Sequence, residues 1–427
     1  MAARLSDGRW YEEMVMDVDA ARGRAIVIGA SLAGLFAATL LRKAGWHTEV
    51  FERSHVELVG RGAGITTHPE LLQSLVRSGA DLNDLGVVVH ERIALDAGGR
   101  VIERLPYEQI VTSWDRLHQV MRATIPEGTH HLGCRLTAVE QGPDSVTAVF
   151  DNGRRETADL LVGADGYRST VRNLFAPEIQ PIYAGYVIWR GLAEEADIPR
   201  EAREAVFEKL AFFLPSHNKN IVYPIAGPDN DLRPGHRRCN WVWYRPVADS
   251  DLDDMLTDSD GVHYDLSIPP PKVRDDLIDR LREDARDFLP APMRDILACV
   301  PKPWVTPIYD LLVNRMVYNR VALIGDAAAT ARPHVGMGIT KAGTDAEVLA
   351  DSLSRDVDVF EGLAQFERER LPIAARAVQQ GRDLGAYMLA SFTPEEGTET
   401  EHWREFHSTR GILEHTASSA FLYCNPS

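Results

Sequence analysis

Asp326 is the carboxylate that the sequence places most favourably for binding a ligand. The apolar residues 321–324 predict a short buried parallel strand, which ends at Gly325 and Asp326. Proteins with parallel sheets bind their ligands beyond the carboxyl ends of such strands. We therefore predict that Asp326 accepts hydrogen bonds from the hydroxyls of a sugar-like ligand and does not pack in the core.

A helix start that can hold negative charge follows Asp326. Pro333 prevents a continuous helix across the segment. Gly336 and Gly338 leave backbone N–H groups open before a helical run that begins near Ile339. The first N–H groups of a helix lack partners and lie at the positive end of its dipole, so they bind anions. A hydroxyl acceptor beside an anion site suits a flavin, and an ordinary strand, turn and helix is the alternative.

A second glycine motif, near the N-terminus, predicts dinucleotide binding. The apolar residues 25–28 predict a strand, Gly29 permits the tight turn after it, and Gly34 lets the next helix lie close to the strand. Glu52 ends the following strand with a carboxylate that suits a ribose. Ser31 stands where the fingerprint has a second glycine, and its hydroxyl is placed to bond a phosphate oxygen. A helix–strand packing turn is the alternative.

A third motif repeats the pattern of an apolar strand that ends in an acid. Residues 160–162 predict the strand, and Asp165 and Gly166 follow it. Ser169 and Thr170 are candidate caps for a helix after the turn. Taken alone, this motif is equally a corner between a strand and a helix.

The order and spacing of these three motifs resemble those of the FAD-dependent aromatic hydroxylases, the para-hydroxybenzoate hydroxylase class. The resemblance covers about residues 22–390. It implies that NADH or NADPH reduces FAD, that O₂ forms a flavin C4a-hydroperoxide, and that one oxygen is transferred to a small electron-rich ring. A hydroxylated N-heterocycle of the dihydroxypyridine kind is the substrate that the resemblance favours. A benzoate-type phenol, a reductase or dehydrogenase of the same fold without oxygen insertion, and a non-catalytic FAD-binding protein are the alternatives.

The resemblance also implies a fold and a division of the chain. The fold is α/β, with a Rossmann-like FAD-binding domain that opens with a βαβ unit, an antiparallel α+β substrate domain and C-terminal helices. The expected segments are FAD-binding at 22–85, 107–180 and 274–390, a substrate-domain hairpin at 86–106, the substrate domain at 181–273 and a tail at 391–427. The C-terminal helices, with an interruption at Pro372, are expected to pack on the FAD-binding domain or on a second copy in a homodimer.

Three arginines join the candidate flavin ligands. Arg53 follows Glu52, Arg61 lies in a glycine-rich turn that passes near the flavin in the resembled family, and Arg116 lies near the start of a helix capped by Ser113. Solvated surface arginines are the alternative for Arg61 and Arg116.

Four side chains are candidates for activating or holding the substrate. A base or cation near a ring hydroxyl favours the reactive oxyanion. The candidates are Arg190, His217, Tyr223 and His334, and Trp189 offers a second flat ring beside Tyr223 for stacking. Each candidate has a structural alternative, which is a surface ion pair for Arg190, a loop position for His217, the sheet core for Tyr223 and a hydrogen bond within its turn for His334.

The composition argues against several classes of partner. The net charge of −17 repels nucleic acid and anionic lipid. The uncharged residues 25–41 are fewer than the ~20 that span a bilayer. Residues 1–24 are acidic and have no apolar core, so we do not expect a signal peptide there. The four cysteines lie far apart, so we expect no disulfide framework, no metal site and a reducing cytoplasm.

Overall fold

A computed structural model of the protein describes residues 22–58, 64–354, 357–388 and 401–422. In these ranges the chain forms twelve α-helices: α1 Leu32–Lys43, α2 Pro69–Ser78, α3 Trp114–Arg122, α4 Thr170–Phe175, α5 Arg200–Val206, α6 Asp249–Met255, α7 Asp275–Phe288, α8 Ala291–Ala298, α9 Gly338–Ser352, α10 Val359–Ala386, α11 Glu401–Phe406 and α12 Thr409–His415.

The same described ranges form eighteen strands: β1 Arg24–Ile28, β2 His47–Phe51, β3 Gly64–Thr66, β4 Val87–Leu95, β5 Val101–Ser113, β6 His130–His131, β7 Leu136–Gln141, β8 Val146–Phe150, β9 Arg155–Ala158, β10 Leu160–Gly163, β11 Ile182–Glu194, β12 Leu210–Phe213, β13 Lys219–Ile225, β14 Arg238–Pro246, β15 Trp304–Leu312, β16 Val317–Tyr318, β17 Val321–Leu323 and β18 Ala329–Thr330.

A six-stranded sheet brings the three sequence motifs to one edge. Its strand order is β16-β17-β10-β1-β2-β6, and β1 pairs in parallel with both β2 and β10. In register, Ile28 lies opposite Phe51 and Gly163, and Gly163 lies opposite Leu323. The turns that follow β1, β10 and β17 therefore lie side by side. A separate three-stranded sheet, β7-β8-β9, flanks this layer.

Helices with apolar faces cover the six-stranded sheet, and the core lies between the helices and the sheet. Helix α1 buries Leu35, Phe36 and Leu41 in one cluster with the strands, and α9 adds Ala346 and Leu349 to that cluster. Strands β10 and β17 are buried along their whole length, as expected for parallel strands with helices over them. The packing of α1 and α9 on the sheet thus fixes the position of the strand ends.

A nine-stranded sheet forms the second layer, in the order β18-β15-β11-β14-β13-β12-β4-β5-β3. Its pairings are antiparallel except that between β4 and β12. Strands β4 and β5 pair in antiparallel fashion as a hairpin within this sheet. The expectation of an α/β protein with an antiparallel sheet is confirmed.

The predicted boundary at residue 273 differs from the structure. Helices α7 and α8 pack on the outer face of the nine-stranded sheet, where the Trp241 indole N–H donates to the carbonyl of Met293 at 3.0 Å. Strand β15 pairs with β11 in the same sheet. Residues 275–312 therefore belong with the substrate layer, because the apolar face of α7 is buried on that sheet.

The predicted interruption of the C-terminal helix at Pro372 is wrong. Helix α10 runs without a break through Pro372. A proline inside a helix costs about 3 kcal/mol. The burial of Phe366, Ala374 and Val378 along this helix offsets that cost.

The C-terminal segment 401–422, whose position the sequence analysis left open, lies against the nine-stranded sheet. Leu413 is buried in one cluster with Phe212 and Tyr244. The Arg92 guanidinium donates to the carbonyls of Leu413 and Thr416, both at 2.6 Å. The N-terminal tail and residues 389–400 lie outside the described ranges. Among the described helices, none is long and apolar enough to cross a membrane.

Candidate active site

Two cavities meet at the edge where the strands end. The strand-end cavity, of about 520 Å³, is lined by residues that include Gly29, Glu52 and Asp165. The aromatic cavity, of about 330 Å³, lies between that edge and the nine-stranded sheet. Tyr167 and Asp326 line both cavities. A ligand longer than either cavity would therefore pass Asp326.

The turn after β1 has the geometry of a phosphate-binding turn. Gly29 has φ +102°, and a Cβ there would lie 2.6 Å from the carbonyl oxygen of Ala164. A Cβ on Gly34 would overlap the carbonyl oxygen of Gly29, so only glycine lets α1 approach the turn this closely. Ser31 precedes α1 and lines the strand-end cavity, and its hydroxyl does not cap the helix. That hydroxyl is available to a ligand.

Glu52 ties the ends of β1 and β2 together beside this turn. Its carboxylate accepts hydrogen bonds from the backbone N–H groups of Ala30 and Ser54, both at 2.9 Å. Each carboxylate oxygen has a second lone pair, so Glu52 can also accept from a ribose hydroxyl. Arg53 follows it, exposed, on the wall of the strand-end cavity.

Asp165 points back into its own chain. Its carboxylate accepts from the N–H groups of Thr170 at 2.7 Å and Val171 at 3.1 Å, and from the Ser169 hydroxyl. Burial raises the pKa of Asp165 against the effect of these bonds. The predicted Ser169 cap is confirmed, since its hydroxyl accepts from the N–H of Arg172 at 2.9 Å. Asp165 thus fixes the turn in which Gly166 lines the strand-end cavity.

A buried ionic network holds the turn at Gly325. The Asp345 carboxylate accepts from the Gly325 N–H at 3.0 Å, and Lys341 donates to the Gly325 carbonyl at 2.7 Å. Arg370 pairs with the other Asp345 oxygen at 2.7 Å. Within the described residues the Asp326 carboxylate has no hydrogen-bond partner, and burial raises its pKa. The turn therefore presents a desolvated carboxylate to both cavities.

The start of helix α9 faces the aromatic cavity. Gly336, Gly338 and Ile339 line it, together with Pro333. The helix begins at Gly338, one residue before the predicted start, and no side chain caps it. Its first N–H groups are open to a ligand.

The aromatic cavity combines flat rings with a guanidinium from β11. Tyr223 and Tyr244 line it, and burial raises the pKa of Tyr223 and raises that of Tyr244 to about 12. Arg190 enters the cavity from β11. In the part of the chain that the structure describes, Arg190 has no acidic partner. Trp189 is adjacent to Arg190 on β11, and adjacent strand residues point to opposite faces of a sheet. Trp189 therefore packs on the face away from this cavity and is not available for stacking in it.

Several predicted site residues are not brought to the cavities. Arg116 donates to Gln119 at 3.0 Å and to the carbonyl of Asn83 at 2.6 Å, away from both cavities. His217 bonds the carbonyl of Tyr387 at 3.1 Å on a loop. Arg61 lies outside the described residues.

His334 is buried behind the aromatic cavity. Its Nε2 bonds the Tyr186 hydroxyl at 2.9 Å, and its ring stacks on Tyr244 with centroids 4.5 Å apart. Burial, with Lys219 and Arg332 nearby, holds the pKa of His334 well below its usual value. A neutral imidazole packed in this way orients Tyr244 and has no direct access to a substrate.

Three further cavity residues were not among the predicted site residues. Arg332 lines the aromatic cavity and is held by Asp310 at 2.8 Å. Thr416 and Ala417 reach the same cavity from the C-terminal segment. The mildly apolar residues 420–423 were the only signal that this segment packs.

Family models match most of the chain. The model described as FAD binding domain matches residues 23–190 and 268–381, and one described as FAD binding domain-like matches residues 183–310. The chain belongs to the FAD-binding domain family. It is an FAD-dependent aromatic monooxygenase, and NAD(P)H is the usual reductant in this family.

Individual relatives agree with this assignment. The chain is 33% identical to 2,6-dihydroxypyridine 3-monooxygenase of Paenarthrobacter nicotinovorans over 82% of this chain and 87% of the relative. The solved structure of 2,6-dihydroxypyridine-3-hydroxylase from Arthrobacter nicotinovorans superposes with a TM-score of 0.81 at 31% identity, covering 88% of this chain and 95% of that one. Klebsiella pneumoniae HpxO, solved with FAD and uric acid, shares the fold with a TM-score of 0.68 at 24% identity, covering 85% and 88%.

The residues present fit FAD. The Ser31 hydroxyl and the Gly29 turn suit the pyrophosphate, Glu52 suits the ribose, and the unpartnered Asp326 carboxylate suits the ribityl hydroxyls. The uncapped start of α9 suits the edge of a flavin ring that gains negative charge. These assignments remain predictions for the individual residues.

Proposed function

We propose that the chain hydroxylates a small N-heteroaromatic ring of the 2,6-dihydroxypyridine kind at a carbon ortho to a ring hydroxyl. The observation that carries this proposal is Arg190, a cation without an acidic partner among the described residues, in a cavity whose walls include the rings of Phe212, Tyr223 and Tyr244. The 33% identity to a dihydroxypyridine monooxygenase supports the choice of ring.

Arg190 stabilises the form of the ring that reacts. When bound, FAD would supply the redox chemistry, with NAD(P)H as the reductant and O₂ as the source of an electrophilic oxygen atom. Such an atom is accepted most readily by carbon beside an oxyanion. A guanidinium next to that oxyanion forms charge-assisted hydrogen bonds and favours the ionised ring.

The walls of the aromatic cavity orient the ring and keep water out. Tyr223 and Tyr244 offer flat faces against which a six-membered ring can stack. Leu210, Phe212 and Ile221 extend the apolar wall. Exclusion of water strengthens the interaction with Arg190 and protects the activated oxygen from side reactions.

The test supplies 2,6-dihydroxypyridine and 4-hydroxybenzoate separately, with NADH, and follows O₂ uptake, NADH oxidation and the product mass. We expect the pyridine to gain one oxygen atom with one O₂ consumed for each NADH. Hydroxylation of the benzoate alone would indicate that the substrate is a phenol and not a pyridine. NADH oxidation without O₂ uptake would favour a reductase of the same fold.

We also infer a cytoplasmic location. Cys134, Cys239 and Cys299 are free thiols in the structure, which suits a reducing compartment. Assembly into a homodimer stays a hypothesis, and sedimentation of the purified holoenzyme tests it.

A further inference from the structure

Lys219 is a buried amine connected to the aromatic cavity through one hydroxyl. It opens β13 and is fully buried. Its Nζ lies 2.7 Å from the hydroxyl oxygen of Thr416, and Thr416 lines the aromatic cavity. Ile221 and Tyr223, two and four residues further along the strand, line the same cavity, because alternate residues share one face.

The surroundings of Lys219 favour the neutral amine. Its Nζ lies 5.7 Å from the ring centres of both Phe212 and Tyr244. Among the described residues, no carboxylate pairs with it, and its one hydrogen-bond partner is Thr416. An unpaired ammonium in such a place is costly. A neutral amine instead has a lone pair that accepts the Thr416 O–H.

Other titratable and charged groups face this amine from the neighbouring elements, and none is an acid that is ionised at neutral pH. They are Arg92 on β4, Tyr244 on β14 and His334 in the turn before α9. Behind them, Tyr186 on β11 bonds His334, and Tyr387 after α10 bonds the carbonyl of Asn218, next to Lys219. Burial, with Arg92 nearby, lowers the pKa of Lys219 to about 7. A base with a pKa near the working pH is efficient in proton transfer.

We propose that Lys219 accepts the proton of the substrate's ring hydroxyl through the Thr416 hydroxyl. This proposal rests on the proposed function. The ring O–H bond breaks and its proton passes to the Thr416 oxygen, while the Thr416 proton passes to the lone pair of Lys219 Nζ. The products are a ring oxyanion and an ammonium, with no change in oxidation state.

The transfer leaves the net charge of the buried region unchanged. A positive charge on Lys219 appears together with a negative charge on the ring, so neither charge is created alone in an apolar place. Arg190 holds the oxyanion from another strand of the same sheet. The C-terminal segment thus completes the site by supplying Thr416.

A purely structural role for Lys219, as an anchor of the C-terminal segment, makes different predictions. Loss of an anchor lowers stability and FAD content but leaves the ionisation of a bound ring unchanged. Thr416→Val keeps the shape of the side chain and removes the hydroxyl, whereas Thr416→Ser keeps the hydroxyl. Ser419→Ala removes a hydroxyl from the same segment without touching Lys219 and serves as the matched control.

The test titrates 3-hydroxypyridine, a ring that carries no net charge in neutral water, on the oxidised holoenzyme and follows the absorbance of its net anion between pH 6 and 9. Wild type, Thr416→Ser and Ser419→Ala should bind the anion, with its fraction rising through about pH 7. Thr416→Val and Lys219→Met should bind the neutral ring and lose roughly 100-fold in kcat with 2,6-dihydroxypyridine.

The outcomes separate the relay from the proposed function. Wild-type anion absorbance and pH profile in Thr416→Val would overturn the relay, as would a neutral ring on the wild type. Since Thr416→Val retains Lys219, it decides the question even where Lys219→Met does not fold. An ionised ring on the wild type with no hydroxylated product would overturn the hydroxylase proposal and leave the relay standing.

Discussion

The N–H of Gly325 donates to the buried carboxylate of Asp345 at 3.0 Å, across 20 positions of the chain. Lys341, one turn before Asp345 on the same helix, bonds the Gly325 carbonyl and the Asp345 carboxylate. Helix α9 therefore fixes both polar groups of the residue before Asp326. The acid that faces the two cavities is positioned by a network behind it.

Replacing Asp345 with asparagine should destabilise the protein by about 3–5 kcal/mol, because Lys341 and Arg370 lose their buried counter-charge. Urea unfolding of the holoenzyme measures this loss. Asp351→Asn on the same helix removes an exposed pair with Arg77 and should cost at most about 1 kcal/mol. Equal effects of the two substitutions would contradict the role of the network.

The contribution of Asp345 should also depend on pH. Burial alone would raise its pKa, but Lys341 and Arg370 outweigh burial and hold the pKa below its usual value. A carboxylate with a lowered pKa in the folded state stabilises the protein above the pKa of the unfolded state and loses that effect in acid. The difference between wild type and Asp345→Asn should shrink as the pH falls below about 4, and a constant difference would argue against an ionised Asp345.

Replacing Asp326 with alanine should weaken FAD binding by about 10- to 100-fold, because a desolvated acceptor for ribityl hydroxyls is removed. Flavin fluorescence on titration of the apoprotein gives the dissociation constant. Asp287→Ala, an exposed change on α7, is the control. Unchanged affinity in Asp326→Ala would defeat the assignment.

Replacing Arg190 with methionine should raise KM for the hydroxylated ring about 10- to 100-fold and leave FAD content unchanged, since the cation faces the aromatic cavity and not the strand-end cavity. Steady-state kinetics on the flavin-loaded variant measure this change. Arg286→Met, on the exposed face of α7, should behave as wild type. A loss of flavin without a change in KM would indicate that Arg190 binds FAD and not the substrate.

Binding of the aromatic substrate should accelerate reduction by NADH. We assign the dinucleotide fingerprint at residues 29–34 to FAD, and we expect the nicotinamide to meet the flavin transiently. Substrate in the aromatic cavity would order that encounter. Stopped-flow reduction with and without 2,6-dihydroxypyridine measures the effect, and equal rates would count against it.

The sequence predicted those parts of the site that local chain chemistry determines. The turn at Gly29, the cap at Ser169 and the strand before Asp326 each follow from a few adjacent residues. Arg116 was predicted as a flavin ligand from its position near a helix start, yet its guanidinium donates to Gln119 on the same helix. A long flexible side chain near a helix start has several hydrogen-bond partners within reach, and the sequence does not show which partner it binds.

Contacts between segments far apart in the chain could not be predicted from the sequence. Thr416 reaches Lys219 across 197 positions, and no pattern in a polar tail predicts such a bond. The pair of Lys341 and Asp345 did have a signal, since opposite charges four residues apart share one face of a helix. Such pairs are usually exposed, so their burial beneath Gly325 became clear only from the fold.

The most direct test of the central claim is the fate of oxygen-18 supplied as labelled O₂ with NADH and 2,6-dihydroxypyridine. If the aromatic cavity holds the ring beside FAD, the product should carry one labelled oxygen on the carbon ortho to a hydroxyl, and Arg190→Met should divert the label to hydrogen peroxide. Label found only in peroxide or water with the wild-type enzyme, or product oxygen drawn from solvent, would contradict a ring hydroxylation at this site.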